Sequence, residues 1–532
     1  MPAPAAQNLI ELLEIRAKET PSKAAFIWEG EPCSFADLWN AVNRFGTHLR
    51  QKGIASGDRI VLALPNGPEF FFAFYGTQRA GALAVPLYPG SGTARILAMA
   101  TRCGARAIVV PSKDLTARCG EVHAAGLSAD LSVVSTAESA DHSSNFSFPQ
   151  VSPEDVAFIQ YTSGSTGVPK GVLLSHRGLL INIRQLIEGM QITPRDRFVS
   201  WLPVYHDMDL ILKTMMPFYL AAKLFLLPTS LANVRVWLEA IQQCRATLTA
   251  APDFAYRLCL RYVRNPGDYD LSSLRIALNA AEPVRNRTIQ DFERAFGLKN
   301  VMIPGYGLAE ATVGVCTWTP STPTITDERG IVGVGRPFRD IHVEIVKNEM
   351  PVEAGQIGEI MIQSPANTSG YYDSPEDTER LFWRKSYIRT GDLGYLDSEG
   401  RLFVTGRAKN IIKHAGETIF PQEIEEIVER LPIVRRSAAV GIDKGGAEGE
   451  QLYVFAELKK SRHPTEDELY AASLDVVQAI QKQLGTRPGR VYFLNPHAIP
   501  LTYNGKIQHS NLKELYMSGR LHQEGGIVFP HY

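Results

Sequence analysis

The stretch from Gln160 to His176 reads QYTSGSTGVPKGVLLSH, and between Thr162 and Gly171 it packs three glycines, two serines, two threonines and one lysine. Small residues let backbone N–H groups approach an oxyanion closely, and hydroxyls and an ammonium add donors, so the composition suits a phosphate. It is not a Walker loop. That motif needs Gly, four residues, then Gly-Lys-Ser/Thr, whereas counting from Gly164 puts Pro169 at the second glycine, and Lys170 is followed by Gly171. Read alone, the stretch is another kind of nucleotide-phosphate loop or a plain turn.

The rest of the chain supplies its setting. With 532 residues, it is too long for one core and predicts several packed units. A net charge of −1 provides no global field toward nucleic acid or anionic lipid, although a local basic patch stays open, and nucleic acid is not expected as a partner. Six cysteines, at 33, 103, 119, 244, 259 and 316, show no CxxC or His-rich spacing, which argues against a zinc site or a disulfide framework and suits a reducing cytoplasm. The first residues lack the basic start and apolar run of a signal peptide; Leu9, Leu12, Leu13 and Ile15 instead mark the inner face of an amphipathic helix. The longest apolar runs are broken by Arg79 and Lys223 and fall short of the roughly 20 residues of a membrane span.

Short apolar runs alternate with helical patterns. RIVLALP (59–65), ARAIVVP (105–111), DVAFIQYT (155–162) and LRIALNA (274–280) predict strands, and 69–82 and 233–244 predict helices. This is the texture of an α/β protein with largely parallel sheets, arranged as layered units over the first 330 residues or so. Beyond them, IHVEIV, GEIMIQS and GYLDSEGRLFVTGR predict a smaller β part whose DSEG centre is a hairpin turn. A separate α+β unit is expected from 408 to 532, after a large N-terminal unit of 1–407. Its helices fall at 420–431 and 467–484, its strands at 436–442, 451–458 and 489–495, and its last ordered feature at the loop PLTYNGKIQHSNL.

The loop at 162–171 has companions: IPGYGLAEATV with Tyr306 and Glu310, RTGDLG with Asp392, TGRAKN with Arg407 and Lys409, and LTYNGKIQ with Lys506. Singly, each reads as turn or packing. In this order they resemble the motif series of the acyl-adenylate-forming superfamily, which includes acyl-CoA synthetases, fatty acyl-AMP ligases, adenylation domains of peptide synthetases and luciferases. The resemblance runs from about residue 10 to 515. It implies a large N-terminal AMP-binding part with layered α/β subdomains and a small β-barrel-like part, then a small mobile C-terminal domain.

The resemblance also implies roles. Activation of a carboxylate by ATP drives an attack on the α-phosphate with pyrophosphate leaving. Thr162, Ser163, Gly164, Ser165, Thr166, Gly167 and Lys170 would cradle the β- and γ-phosphates, and Glu310, with Thr162, would hold Mg²⁺. Tyr306 and Gly307 would form the adenine site with the backbone around Asn279, Ala280, Ala281 and Glu282. Asp392 would take the ribose hydroxyls, with Arg407 nearby. Lys506 would carry the adenylation step, Lys409 would be the hinge of a rotating C-terminal domain, and Gly416 would wall the thiol channel.

The segment WLPVYHDMDLI sits where the family places its acyl pocket, bringing Tyr205, His206, Asp207 and Asp209 to the substrate or thiol channel. His206 lies near the reacting carboxylate or is a histidine satisfied by backbone. The text most resembles the fatty acyl-AMP ligase branch, whose acceptor is the phosphopantetheine arm of an acyl carrier protein acting in trans. Two features depart from it. Only the 19 residues from 314 to 332 follow Val313 before Gly333, so the insertion that hinders use of CoA is missing and CoA stays open as acceptor. Asp209 replaces the usual glycine of HDMG; a carboxylate beside an acyl tunnel is costly unless paired or exposed, so it binds a polar group of the substrate or faces solvent. Three readings follow: a ligase for a medium or long fatty acid, an adenylation enzyme for an amino acid or other polar acid if Asp207 and Asp209 converge on an amine, and a nucleotide-binding protein without catalysis.

Overall fold

The structure, a computed structural model, describes residues 5–127, 131–138, 147–162, 169–229, 234–414, 417–443, 450–460, 464–502, 505–524 and 526–531. Two sheets form the bulk of the N-terminal part. The larger has nine strands, and its centre is a parallel run of Ala24–Trp28, Lys223–Leu226, Arg197–Ser200, Leu248–Ala251, Ile276–Asn279 and Met302–Tyr306. The second has six strands. Ser132–Val134, Ala105–Val109, Arg59–Leu62, Leu83–Pro86 and Val156–Thr162 run parallel, and Lys170–Ser175 closes the edge antiparallel. The strands are continuous apolar runs because both faces are covered; Ile276–Asn279 and Leu248–Ala251 are buried at every position.

That antiparallel edge explains why the opening stretch fails as a Walker loop. Thr162 and Lys170 are directly paired residues of two adjacent antiparallel strands, so Lys170 opens a second strand rather than a helix. The helix comes later, His176–Gly189, capped by the Ser175 side chain accepting from the Gly178 N–H at 3.1 Å.

Helices Phe35–Gln51 and Pro68–Arg79 pack closely on one another beside the sheets, and their phenylalanines 35, 45, 70, 71 and 74 belong to one continuous core that extends to Leu402. Ser34 and Asp37 form a reciprocal capping box at the start of the first helix. The third sheet is antiparallel, built on His342–Lys347, Gly358–Gln363, Tyr387–Leu396 and Leu402–Arg407, matching the strands and hairpin turn expected there.

Residues 412–529 hold two hydrophobic clusters of their own, separate from the main core. Their sheet is Val434–Asp443, Glu450–Leu458, Arg490–Leu494 and Ile527–His531, with helices Pro421–Val428 and Glu466–Leu484. The last strand corrects the expectation that order ends at the PLTYNGKIQHSNL loop: helix His509–Met517 begins inside that stretch and runs past it, and Ile527–His531 pairs antiparallel with Arg490–Leu494. No helix among the described residues is long and apolar enough to cross a membrane.

Candidate active site

The parallel strands Leu248–Ala251, Ile276–Asn279 and Met302–Tyr306 end side by side, and the crevice beyond the carboxyl ends of such strands is where α/β sheets bind ligands. A cavity of about 440 Å³ opens there. Its walls come from many parts of the chain, among them the strand pair holding Thr162 and Lys170, helix residues Leu186 and Met190, the segment 206–212, the turn 305–314, Phe338, the stretch 371–381 and the region 389–409 joined by Lys506.

The turn 305–314 is built tightly. A Cβ on Gly307 would lie 1.8 Å from the Val313 carbonyl oxygen, so only glycine lets the chain fold back here. Thr312 has φ +72° and ψ −67°, and the Val313 N–H donates to Ala311 O at 3.0 Å, which is a γ-turn of the strained sense at a β-branched residue. Ala281, across the same crevice, has φ +70°. Strained backbone beside a cavity marks a functional site.

The polar end of the cavity holds Lys170, Glu310 and Arg407. Lys170 Nζ is 2.7 Å from Asp377 Oδ1 and 5.1 Å above the Tyr371 ring, while the Tyr371 hydroxyl donates to Glu310 Oε1 at 2.8 Å. Sequence reasoning missed Asp377 and Tyr371, which lie two hundred residues from Lys170 and belong to no motif. Arg407 Nε is 2.6 Å from Asp392 Oδ1, and the Tyr306 hydroxyl donates to Oδ2 at 2.6 Å. Burial pushes the Asp392 carboxyl above the usual range, against the pull of Arg407 and Tyr306.

Ala280, Ala281, Tyr306, Gly307, Glu310 and Lys409 stand in the wall as the motifs suggest. Three residues expected at the nucleotide do not. Asn279 is fully buried and donates to Asp253 Oδ1 at 3.0 Å; Glu282 accepts from the Phe254 N–H; and Asp392 sits behind the wall, bracing Tyr306 and Arg407. Ser163, Gly164, Ser165, Thr166, Gly167 and Gly416 lie outside the described residues.

At the acyl end, His206 and Asp207 line the cavity with Nδ1 and Oδ1 2.7 Å apart. Asp207 also accepts from the Met208 N–H at 2.7 Å. Burial pushes its carboxyl upward, but His206 and Lys506 together hold it below the usual range. Tyr205 is buried just outside the wall, its carbonyl accepting from Gln160 Nε2 at 3.1 Å.

Asp209 is neither beside the substrate nor in solvent, a correction to both expectations. It is fully buried within the π-helix Met208–Met215, where Ser200 Oγ donates at 2.6 Å and Lys213 Nζ lies 2.8 Å away. Lys213 is equally buried and also donates to Ala250 O at 3.2 Å. The pair is self-contained, and Lys213 at position i+4 was the signal that could have found it.

Lys506 arrives from the other unit on a hairpin closed by the Leu501/Ile507 bridge and by Thr502 N–H donating to Lys506 O at 2.8 Å. Burial pushes its ammonium below its ordinary pKa and the Arg407 charge adds to this, while Asp207, Glu282 and Asp392 pull the other way. The two units are joined by a charged contact: Glu429 meets Arg285 and, at 3.0 Å, Arg257, which also lies 3.1 Å from Asp253.

A crevice of this kind, with a phosphate-type hairpin, a strained turn and a lysine brought from a second unit, defines a nucleotide-dependent enzyme. The chain belongs to the AMP-binding enzyme family, whose model matches residues 13–372. It is similar to the medium-chain-fatty-acid–[acyl-carrier-protein] ligase JamA of Moorena producens, at 29% identity over 98% of this chain and 97% of the relative. It is 30% identical to the long-chain-fatty-acid–AMP ligase FadD26 of Mycobacterium tuberculosis, over 96% of this chain and 97% of the relative. Among solved structures, a chain from work on fatty acyl-adenylate ligases of E. coli and L. pneumophila superposes with a TM-score of 0.87 at 27% identity, covering 98% of this chain and all of that one.

Proposed function

We propose that this enzyme activates a fatty acid with ATP, releasing pyrophosphate, and passes the acyl group from acyl-AMP to the phosphopantetheine thiol of a carrier protein. The observation that carries this reading is Lys506: a lysine of the C-terminal unit enters a cavity whose one end is polar and whose other end is apolar. A carboxylate oxygen attacks the α-phosphorus, the α–β bridging P–O bond breaks, and Lys506 and Arg407 offset charge on the phosphoryl oxygens. Lys170 and Thr162, facing each other across the hairpin, hold the outgoing phosphates. His206, braced by Asp207, stands at the carboxylate. In the second step the thiol attacks the acyl carbon and AMP leaves, after the unit from 408 onward turns about Lys409.

No group of three or more His, Cys, Asp or Glu side chains among the described residues could cage a metal. One carboxylate, Glu310, fits Mg²⁺, which keeps its waters and binds through one or two carboxylates plus substrate phosphates. Such an ion would neutralise the triphosphate.

An amino acid substrate is not favoured. Its recognition needed Asp207 and Asp209 to converge, and Asp209 is spent on Lys213. The test is mass spectrometry after incubating the purified protein with ATP, Mg²⁺ and a pool of fatty, aryl, hydroxy and amino acids, with CoA or a phosphopantetheinylated carrier protein. Fatty acyl-AMP that moves to the carrier is the expected result. Adenylates formed from amino acids alone would overturn it, and transfer to CoA in preference would replace the acceptor.

A further inference from the structure

The apolar end of the cavity is formed by Leu186, Met190, Leu212, Val313, Gly314 and Phe338. Phe338 closes it. Its ring fills a slot made by two glycines: a Cβ on Gly189 would come within 2.3 Å of the ring, and one on Gly314 within 3.2 Å of the ring and 2.6 Å of Leu186. The Phe338 backbone is pinned on both sides, its N–H donating to Val315 O at 2.9 Å and its carbonyl accepting from the Ile341 N–H at 3.1 Å. The neighbours on the outer side are already at the surface. Glu188 and Arg339 are exposed and form an ion pair at 3.5 Å, while Phe338 itself is buried. The Phe338 ring thus stands between the cavity's apolar lining and a pair of exposed residues.

Resting on the function proposed above, we infer that Phe338 is the stopper that sets acyl chain length and that the enzyme takes medium-chain fatty acids. Names of the relatives span medium and long chains and leave the length undecided. The closed apolar end argues for the shorter range, and so does its size: about 440 Å³ lies near the lower end of the roughly 300–1,000 Å³ of ligand pockets, shared between nucleotide and tail. A longer tail needs the ring removed, and then has an exit between Gly189 and Arg339.

Each methylene buried contributes about fourfold in specificity, so kcat/KM for saturated acids should climb by that factor per carbon until the tail meets Phe338, then break. The experiment is acid-dependent pyrophosphate–ATP exchange over C4 to C18 acids in the wild type, Phe338→Ala and Phe338→Leu. The expected result is a break in the medium range for the wild type, moved several carbons longer in Phe338→Ala and less far in Phe338→Leu, with the C16-to-C8 ratio raised at least tenfold in the alanine variant. This ratio is taken within one preparation and is independent of the folded fraction. A break at the same carbon in all three proteins, or a wild type that uses C16 as well as C8, overturns the inference alone. Absence of exchange with every acid overturns the proposed function and the inference with it.

Discussion

Asp207 and Asp209 stand two residues apart in HDMD and have opposite surroundings. Asp207 lines the cavity, shares its charge with His206 and is drawn toward Lys506 of the other unit. Asp209 points into the core and is closed off by Ser200 and Lys213. The π-helix Met208–Met215, with Asp207 at its N-cap and Asp209 inside it, turns one acid to the reaction and the other to the packing. A carboxylate next to a binding pocket is thus no sign of substrate contact until its countercharge has been located.

Breaking the inner pair gives the largest effect. Asp209→Ala leaves Lys213 buried and unpaired, at a cost of about 3–5 kcal/mol, read as an earlier urea transition in the fluorescence of Trp201 and Trp237. Replacing both members, as Asp209→Leu with Lys213→Met, should restore most of it. Unaltered stability in Asp209→Ala would show that the pair is not closed as described.

On the outer side, activity moves instead. Lys506→Ala should lower acyl-AMP formation by roughly 10²-fold or more while leaving the urea transition in place. Asp207→Asn removes a charge-assisted interaction with His206 worth about 1.5–3 kcal/mol, a roughly tenfold to hundredfold loss in the adenylation rate, again with stability kept. A stability loss in Asp207→Asn equal to that of Asp209→Ala would erase the contrast.

The pH profile sharpens it further. Burial and Arg407 lower the Lys506 pKa, and the reaction needs the ammonium, so kcat/KM should fall on the alkaline side at a pH below the ordinary lysine value of about 10.4. Lys506→Arg, whose charge persists, should move that limb upward; an alkaline limb identical in both would assign it to another group. The smallest effect belongs to the half-buried, still solvent-reached contact of Asp377 with Lys170, since solvent-screened pairs contribute about 0.2–1 kcal/mol. Asp377→Asn frees Lys170 for phosphate, and KM for ATP should fall by at most about fivefold. An increase would show that Asp377 assists the nucleotide.

Much of this was legible in the chain. Apolar runs placed Arg59–Leu62, Ala105–Val109 and Val156–Thr162 of one large sheet and Ile276–Asn279 of the other, and the DSEG turn placed the hairpin Tyr387–Leu396/Leu402–Arg407, because such patterns and turn chemistry are local. The motifs brought Lys170, Tyr306, Glu310, Arg407 and Lys506 to one cavity because each lies at the end of a strand or on a short hairpin whose direction the sheet dictates. What stayed hidden depends on contacts between distant segments. Nothing near Asp377 announces Lys170, nothing near Glu429 announces Arg285, and Phe338 becomes a stopper only through Gly189 and Gly314. Asp392 and Asn279 carry motif positions, and their hydrogen bonds to Tyr306 and Asp253 could not be read from the motifs.

The central claim is that Lys506, carried in by the C-terminal unit, adenylates a fatty acid in this cavity. Exchange of labelled pyrophosphate into ATP tests it without any thiol acceptor, in the wild type and Lys506→Ala with octanoic acid and with a mixture of amino acids. Exchange that depends on octanoate and collapses in the variant is the predicted result; exchange driven by amino acids, or undiminished in Lys506→Ala, would contradict it.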